Sequence, residues 1–149
     1  LFFSMILLKQ LREYFEGLAD CIPGLKGATL LTVEQNMADK VNGIPEDDTP
    51  TLFYLPPSAN GAGDPDSFND KSLCVVFIMQ KYNPRKSTSA EALEASQPIA
   101  EAVKAAILAD SSRPCHFLTA DISTISTLPE TEFFGNWAGW SIGFTVDSN

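Results

Sequence analysis

The sequence predicts an α+β fold: a mostly antiparallel sheet of about five strands, with two helices packed on one face, in the order α-β-β-β-α-β-β. Three observations carry this. Two stretches have helical apolar spacing, at 5–18 and about 89–110. The closing stretch alternates strictly between bulky apolar and small polar residues. Strands and helices do not alternate regularly, which argues against a doubly wound parallel sheet. The 149 residues fit a single domain, 1–149, with a long loop at about 57–71.

Taken in order, Leu7, Leu8, Leu11, Phe15 and Leu18 recur at spacings of three and four and mark one apolar stripe of a helix over 5–18. Ile22-Pro23-Gly24 ends it. Ala28 to Glu34 reads as a strand and Gln35 to Thr49 as irregular chain. Thr51 to Leu55 is a short strand bracketed by Pro50 and Pro56-Pro57, which places it at or near an edge. Ser58 to Lys71, rich in Gly, Asp and Asn, reads as a loop of the length that is usually functional or mobile. Leu73 to Met79 is seven apolar residues in a row, the pattern of a central strand buried on both faces.

Thr88-Ser89-Ala90-Glu91 has the form of a capping box. An Ala-rich helix follows to about Asp110, with Pro98 set to kink or divide it. Cys115 to Thr127 reads as a long bulged strand and Leu128 to Asn136 as a connection. Trp140, Ile142, Phe144 and Val146 then alternate with Ser141, Gly143, Thr145 and Asp147, so the bulky face belongs on the core.

Charge is unevenly spread. The net value is −9, and residues 46–70 hold six acidic side chains and no basic one: Glu46, Asp47, Asp48, Asp64, Asp66 and Asp70. An autonomous binder of nucleic acid needs a cationic footprint, which this balance excludes. Asp64, Asp66 and Asp70 have the donors for a hard cation, but Phe68 and Asn69 break the EF-hand pattern. The acidic loop therefore reads as solvated. Lys81, Arg85 and Lys86 form a small basic turn.

Reaction chemistry is not visible. The nucleotide-cradle, zinc-protease and hydrolase motifs are missing from the sequence. Cys21, Cys74 and Cys115 form no CxxC pair and read as buried, reduced thiols acting as small hydrophobes. His116 adjoins Cys115, and neighbours on a strand point to opposite faces, a poor geometry for a nucleophilic pair. No catalytic residue, cofactor or metal is expected. The first eleven residues are apolar-rich but too short to span a bilayer, so the expectation is a soluble protein made in a cytoplasm, without membrane contact. Phe133, Phe134, Trp137 and Trp140 are dense for a connection, and the first three are candidate interface aromatics.

The element order, with the Phe-Phe-Gly-Asn-Trp connection and the closing Gly139 to Val146 strand, resembles the tail-terminator (tail-completion) proteins of long-tailed bacteriophages and related neck and head–tail joining proteins. The resemblance implies a virion structural protein of the tail or neck. Its subunits form a ring, usually a homohexamer, that caps the tail tube and joins it to the head. Implied partners are other copies of the chain, tail-tube and head-connector proteins, and DNA as passing cargo. The six acidic residues are then candidates for a conduit lining or subunit contacts. The rival from another class is a small soluble ligand-binding or enzymatic domain with a site near Cys74, Cys115 and His116. A third reading is an adaptor of a host complex.

Overall fold

The computed structural model describes residues 6–32, 37–46, 49–62, 69–112 and 118–148. Among them, α1 is Leu8–Cys21, β1 Lys26–Leu30, α2 Met37–Asn42, β2 Thr51–Tyr54, β3 Ser58–Ala62 and β4 Asn69–Lys81. The chain continues with α3 Ser89–Ser111, a 3-10 turn at Ile122–Thr124, β5 Ser126–Phe133 and β6 Trp137–Ser148. The strands form one mixed sheet in the order β1-β2-β4-β6-β5, with β3 also paired to β4. The β1–β2 pair is parallel and the other pairs are antiparallel. The predicted α+β class is therefore the observed one.

Successive strand residues face opposite sides, and the sheet has two cores. On one side Leu52 and Tyr54, Cys74, Val76 and Ile78, and Ile142, Phe144 and Val146 pack with α1 and α3. The expected bulky face of β6 thus lies on this core. From α1 come Leu11, Phe15 and Leu18, and the Phe15 ring meets Tyr54 at 5.2 Å. From α3 come Ala92, Ser96, Ala100, Val103 and Ile107, a stripe of mostly small side chains that lets the helix lie close to β6. Tyr14 Oη donates to Asp110 Oδ2 at 2.7 Å and ties the two helices together.

The Thr88 hydroxyl accepts from the Glu91 N–H at 3.2 Å, as the cap pattern predicts. Pro98 does not divide α3, which runs 23 residues. Proline has no N–H to give the preceding turn. In that turn the Leu93 carbonyl accepts from Ser96 Oγ and from Trp140 Nε1, the latter at 3.0 Å. The carbonyl that loses its helical donor to Pro98 is that of Glu94, one residue further on, so these bonds do not replace it; the Trp140 bond fastens the helix to the sheet.

Several boundaries differ from expectation. The irregular stretch after β1 contains α2, six residues with only Met37 and Val41 buried, too short for periodicity to reveal. The two arms of the expected 57–71 loop are β3 and the start of β4, paired from Ser58↔Leu73 to Ala62↔Asn69. Because Leu55 N also donates to the Val75 carbonyl, β2 and β3 run along the same side of β4, interrupted at Pro56-Pro57. β2 sits one strand in from the edge.

The bulged strand expected at 115–127 is not one. Its start, 115–117, lies outside the described residues. Ala120 makes an isolated bridge to Val146, and Asp121 caps the 3-10 turn. The strand proper is β5, in the stretch expected to be a connection. Leu128, Pro129 and Glu130 pair with Ser141, Trp140 and Gly139. Pro129 is tolerated because β5 is an edge strand.

Candidate interaction surface

The second core lies on the side of the sheet opposite α1 and α3. It is built from Leu31, Met37, Val41, Phe53, Met79 and Trp137. The Trp137 indole reaches from β6 to Phe53 on β2, with ring centres 5.2 Å apart and near-perpendicular planes. For the strands to close under it, β6 needs Gly139, since a Cβ there would run into the Ile78 carbonyl.

Lys81 fastens α2 over this core. Its Nζ donates to the Asn42 and Ile44 carbonyls, both at 2.7 Å, and lies 5.9 Å from the Trp137 ring centre. The cation therefore serves the otherwise unpaired carbonyls at the end of a short helix.

This cover stops short. Along β4 the far-side residues are Met79, Phe77, Val75 and Leu73. Met79 is fully buried, Phe77 and Val75 are half-buried, and Leu73 is 43 % exposed. The seven-residue apolar run marks a central strand, as expected, but it is buried on both faces only toward its C-terminal end. Leu128, opposite Ser141, lies on the same side and is 55 % exposed.

Where the cover ends, Leu31, Thr32, Leu55, Pro56, Phe77, Phe133 and Phe134 line a groove of about 430 Å³ with no charged residue in its wall. The hairpin between β5 and β6 forms one lip. Phe134 has φ 46° and Gly135 φ 85°. Glycine takes the left-handed region freely, whereas a bulky residue there is strained by about 1–3 kcal/mol. The Phe134 ring stacks edge-on to Phe133 at 4.8 Å, and Phe133 packs on Phe53 and Phe77 at 5.3 and 5.2 Å. Packing holds the strained residue in place and keeps an aromatic ring at the surface.

Of the three candidate interface aromatics, Phe133 and Phe134 line this groove. Trp137 is only 1 % exposed and belongs to the core, on a strand that begins earlier than expected. The groove's other walls were not picked out by sequence. Phe77 stood in the apolar run, where only strand parity assigns it to the far side. Nothing local marks Leu31, Leu55 or Pro56.

The six acidic residues do not gather at one place. Glu46 is exposed and lines a polar cavity of about 520 Å³ with Gln80, Lys81, Tyr82, Ser87 and Glu91. Asp70 sits near the opposite end of β4, about 36 Å of strand from Lys81. Asp47, Asp48, Asp64 and Asp66 lie outside the described residues, as do Cys115 and His116. Cys74 is completely buried, and burial pushes its thiol up to about 12. It stays protonated at neutral pH and is a poor nucleophile. Cys21 is exposed.

Among the described residues no group of three or more His, Cys, Asp or Glu could hold a metal ion, and no helix is long and apolar enough to cross a membrane. No protein-family model and no curated protein sequence matches this chain.

Proposed function

We propose that this protein is a structural subunit that works by assembling with copies of itself, as a ring-forming component of a phage tail or neck that caps the tail tube and joins it to the head. The observation that carries the assembly reading is the unequal covering of the sheet. One face is sealed by two helices, while the other leaves an uncharged aromatic groove open to solvent. A patch of this kind on an otherwise acidic chain has the chemistry of a protein contact. The assignment to the tail-terminator class rests on the resemblance in element order and on the closing strand. In that setting Glu46, Asp47, Asp48, Asp64, Asp66 and Asp70 are candidates for subunit contacts or for a wall that repels passing DNA. Tail-tube and head-connector proteins are the further partners.

Native mass spectrometry over a wide range of protein concentration tests the reading. The expected result is one closed oligomer, six copies by family analogy, that stops growing once formed. A monomer at every concentration, or a simple two-fold dimer, contradicts it. The genes beside this one supply a second test, since tail-tube, portal or tape-measure genes are expected there.

A further inference from the structure

We propose that α2 and the turn after it, Met37 to Pro45, form a hinged cover that opens while the rest of the fold stays closed. Opening joins the aromatic groove to the apolar surface beneath α2. This opening does not depend on how copies assemble.

The cover is lightly built. A helix of six residues has too few internal hydrogen bonds to persist alone, so packing must hold it. Its buried side chains are Met37 and Val41, which join one cluster with Phe53, Met79 and Trp137. Ala38, Asp39, Lys40 and Asn42, the other four residues of the helix, are exposed. By contrast α1 and α3 bury four and five side chains, and Tyr14 and Trp140 tie them to each other and to the sheet.

Lysine latches supply what packing does not. Lys81 Nζ reaches from the end of β4 to the Asn42 and Ile44 carbonyls, both at 2.7 Å. Lys26 Nζ reaches from β1 to the Pro45 carbonyl at 3.2 Å. All three bonds hold the C-terminal end of the cover. At its other end Met37 Sδ meets Thr32 Oγ1 at 3.9 Å, a weak contact. A charged donor makes the stronger kind of hydrogen bond. The Lys81–Asn42 and Lys26–Pro45 bonds are nonetheless exposed, so water competes for both partners.

What lies beneath favours release. Trp137 Nε1 and Thr51 Oγ1 are buried with no hydrogen-bond partner among the described residues. The Trp137 ring centre is 5.9 Å from Lys81 Nζ, directly under one latch. Thr51 pairs in register with Lys26, the other latch. A polar group buried without a partner loses its hydration and regains nothing. Raising the cover lets water reach both, so these two groups favour the open state while Met37 and Val41 favour the closed one. A segment balanced in this way opens below the cost of global unfolding.

The cover also borders the groove. Met37 touches Thr32 in the groove wall, and Leu31 belongs both to that wall and to the cluster under α2. Phe77 and Phe133 line the groove and pack against the same cluster. An open cover leaves one continuous apolar surface from Phe134 to Trp137.

Thiol labelling of dilute native protein tests this. In a background with Cys21 and Cys115 replaced by serine, Val41→Cys puts a reporter on the buried face of α2. Cys74, on the sealed side, reports global unfolding in the same sample. The position-41 thiol should react at least about tenfold faster than Cys74. Lys81→Met keeps an aliphatic stem against Trp137 and removes the donors. It should speed labelling at position 41 by about tenfold, the worth of a charged hydrogen bond, and leave Cys74 unmoved. Lys26→Met, at the second latch, should act in the same direction and serves where Lys81→Met unfolds the chain. Equal rates at the two thiols with both latches intact overturn the proposal, because α2 then opens only with the whole molecule. A position-41 rate that neither latch variant raises relative to Cys74 overturns it as well.

Discussion

The two faces of the sheet differ in how completely they are closed. Beneath α1 and α3, Leu52, Val76, Ile78, Ile142 and Phe144 have no solvent exposure, and the covering helices are long. Beneath α2 a six-residue helix covers one end of the sheet and leaves the rest half-open. Thr51 Oγ1 and Trp137 Nε1, both on this second side, are buried without a hydrogen-bond partner among the described residues. The first face has the density that stabilises a fold. The second keeps strained and unsatisfied groups, which is the pattern of surfaces shaped by a task besides stability.

The sharpest way to break this comparison is to truncate one aromatic on each side. Phe144→Ala should lower unfolding stability by about 3–5 kcal/mol, as a cavity in a sealed core does. Phe134→Ser should cost only about 1 kcal/mol, since the ring it removes is already half in solvent. Urea denaturation measures both, and equal losses would remove the distinction. On the boundary between the cores, Gly139→Ala should cost about 3 kcal/mol or more, because the added Cβ meets backbone that cannot yield.

A pH experiment reads the sealed side alone. The folded Cys74 thiol titrates near 12 against an ordinary value of 9.0, because burial penalises the thiolate. Below pH 9 both folded and unfolded thiols are protonated and the full stability is present. Between pH 9 and about 12 the unfolded thiol ionises first, so stability falls as pH rises. Cys74→Val should remove that part of the slope. In the folded protein at pH 8, a thiol reagent should label Cys21 and leave Cys74 unreacted.

Smaller effects sharpen the picture. Thr88→Ala should cost about 1 kcal/mol through the lost α3 cap. Thr51→Val keeps the shape, removes a buried unpartnered hydroxyl and should stabilise by up to about 1 kcal/mol. Thermal or urea unfolding measures each.

The sealed side was largely legible in the sequence. The helical spacing of Leu11, Phe15 and Leu18, the Thr88 cap and the alternation of Ile142, Phe144 and Val146 are local patterns, and local patterns survive into the fold. The open side was not. Its groove joins Leu31, Leu55, Phe77 and Phe133 from four distant stretches, and only strand pairing brings them together. Phe133, Phe134 and Trp137 drew attention as a cluster, yet composition cannot separate the buried Trp137 from the half-exposed pair beside it. β5 was missed because Pro129, Glu130 and Glu132 suit an edge strand and a loop equally well. The sequence shows six acidic residues close together in number, while β4 sets Glu46 and Asp70 at opposite ends of the sheet.

Hydrogen exchange of dilute against concentrated protein tests the central claim most directly. If the open side is where copies meet, protection should rise at Leu31–Thr32, Leu55 and Phe133–Asn136 as concentration increases. α1 and α3 should exchange identically in both samples. Protection gained on those helices, or gained nowhere, contradicts the account.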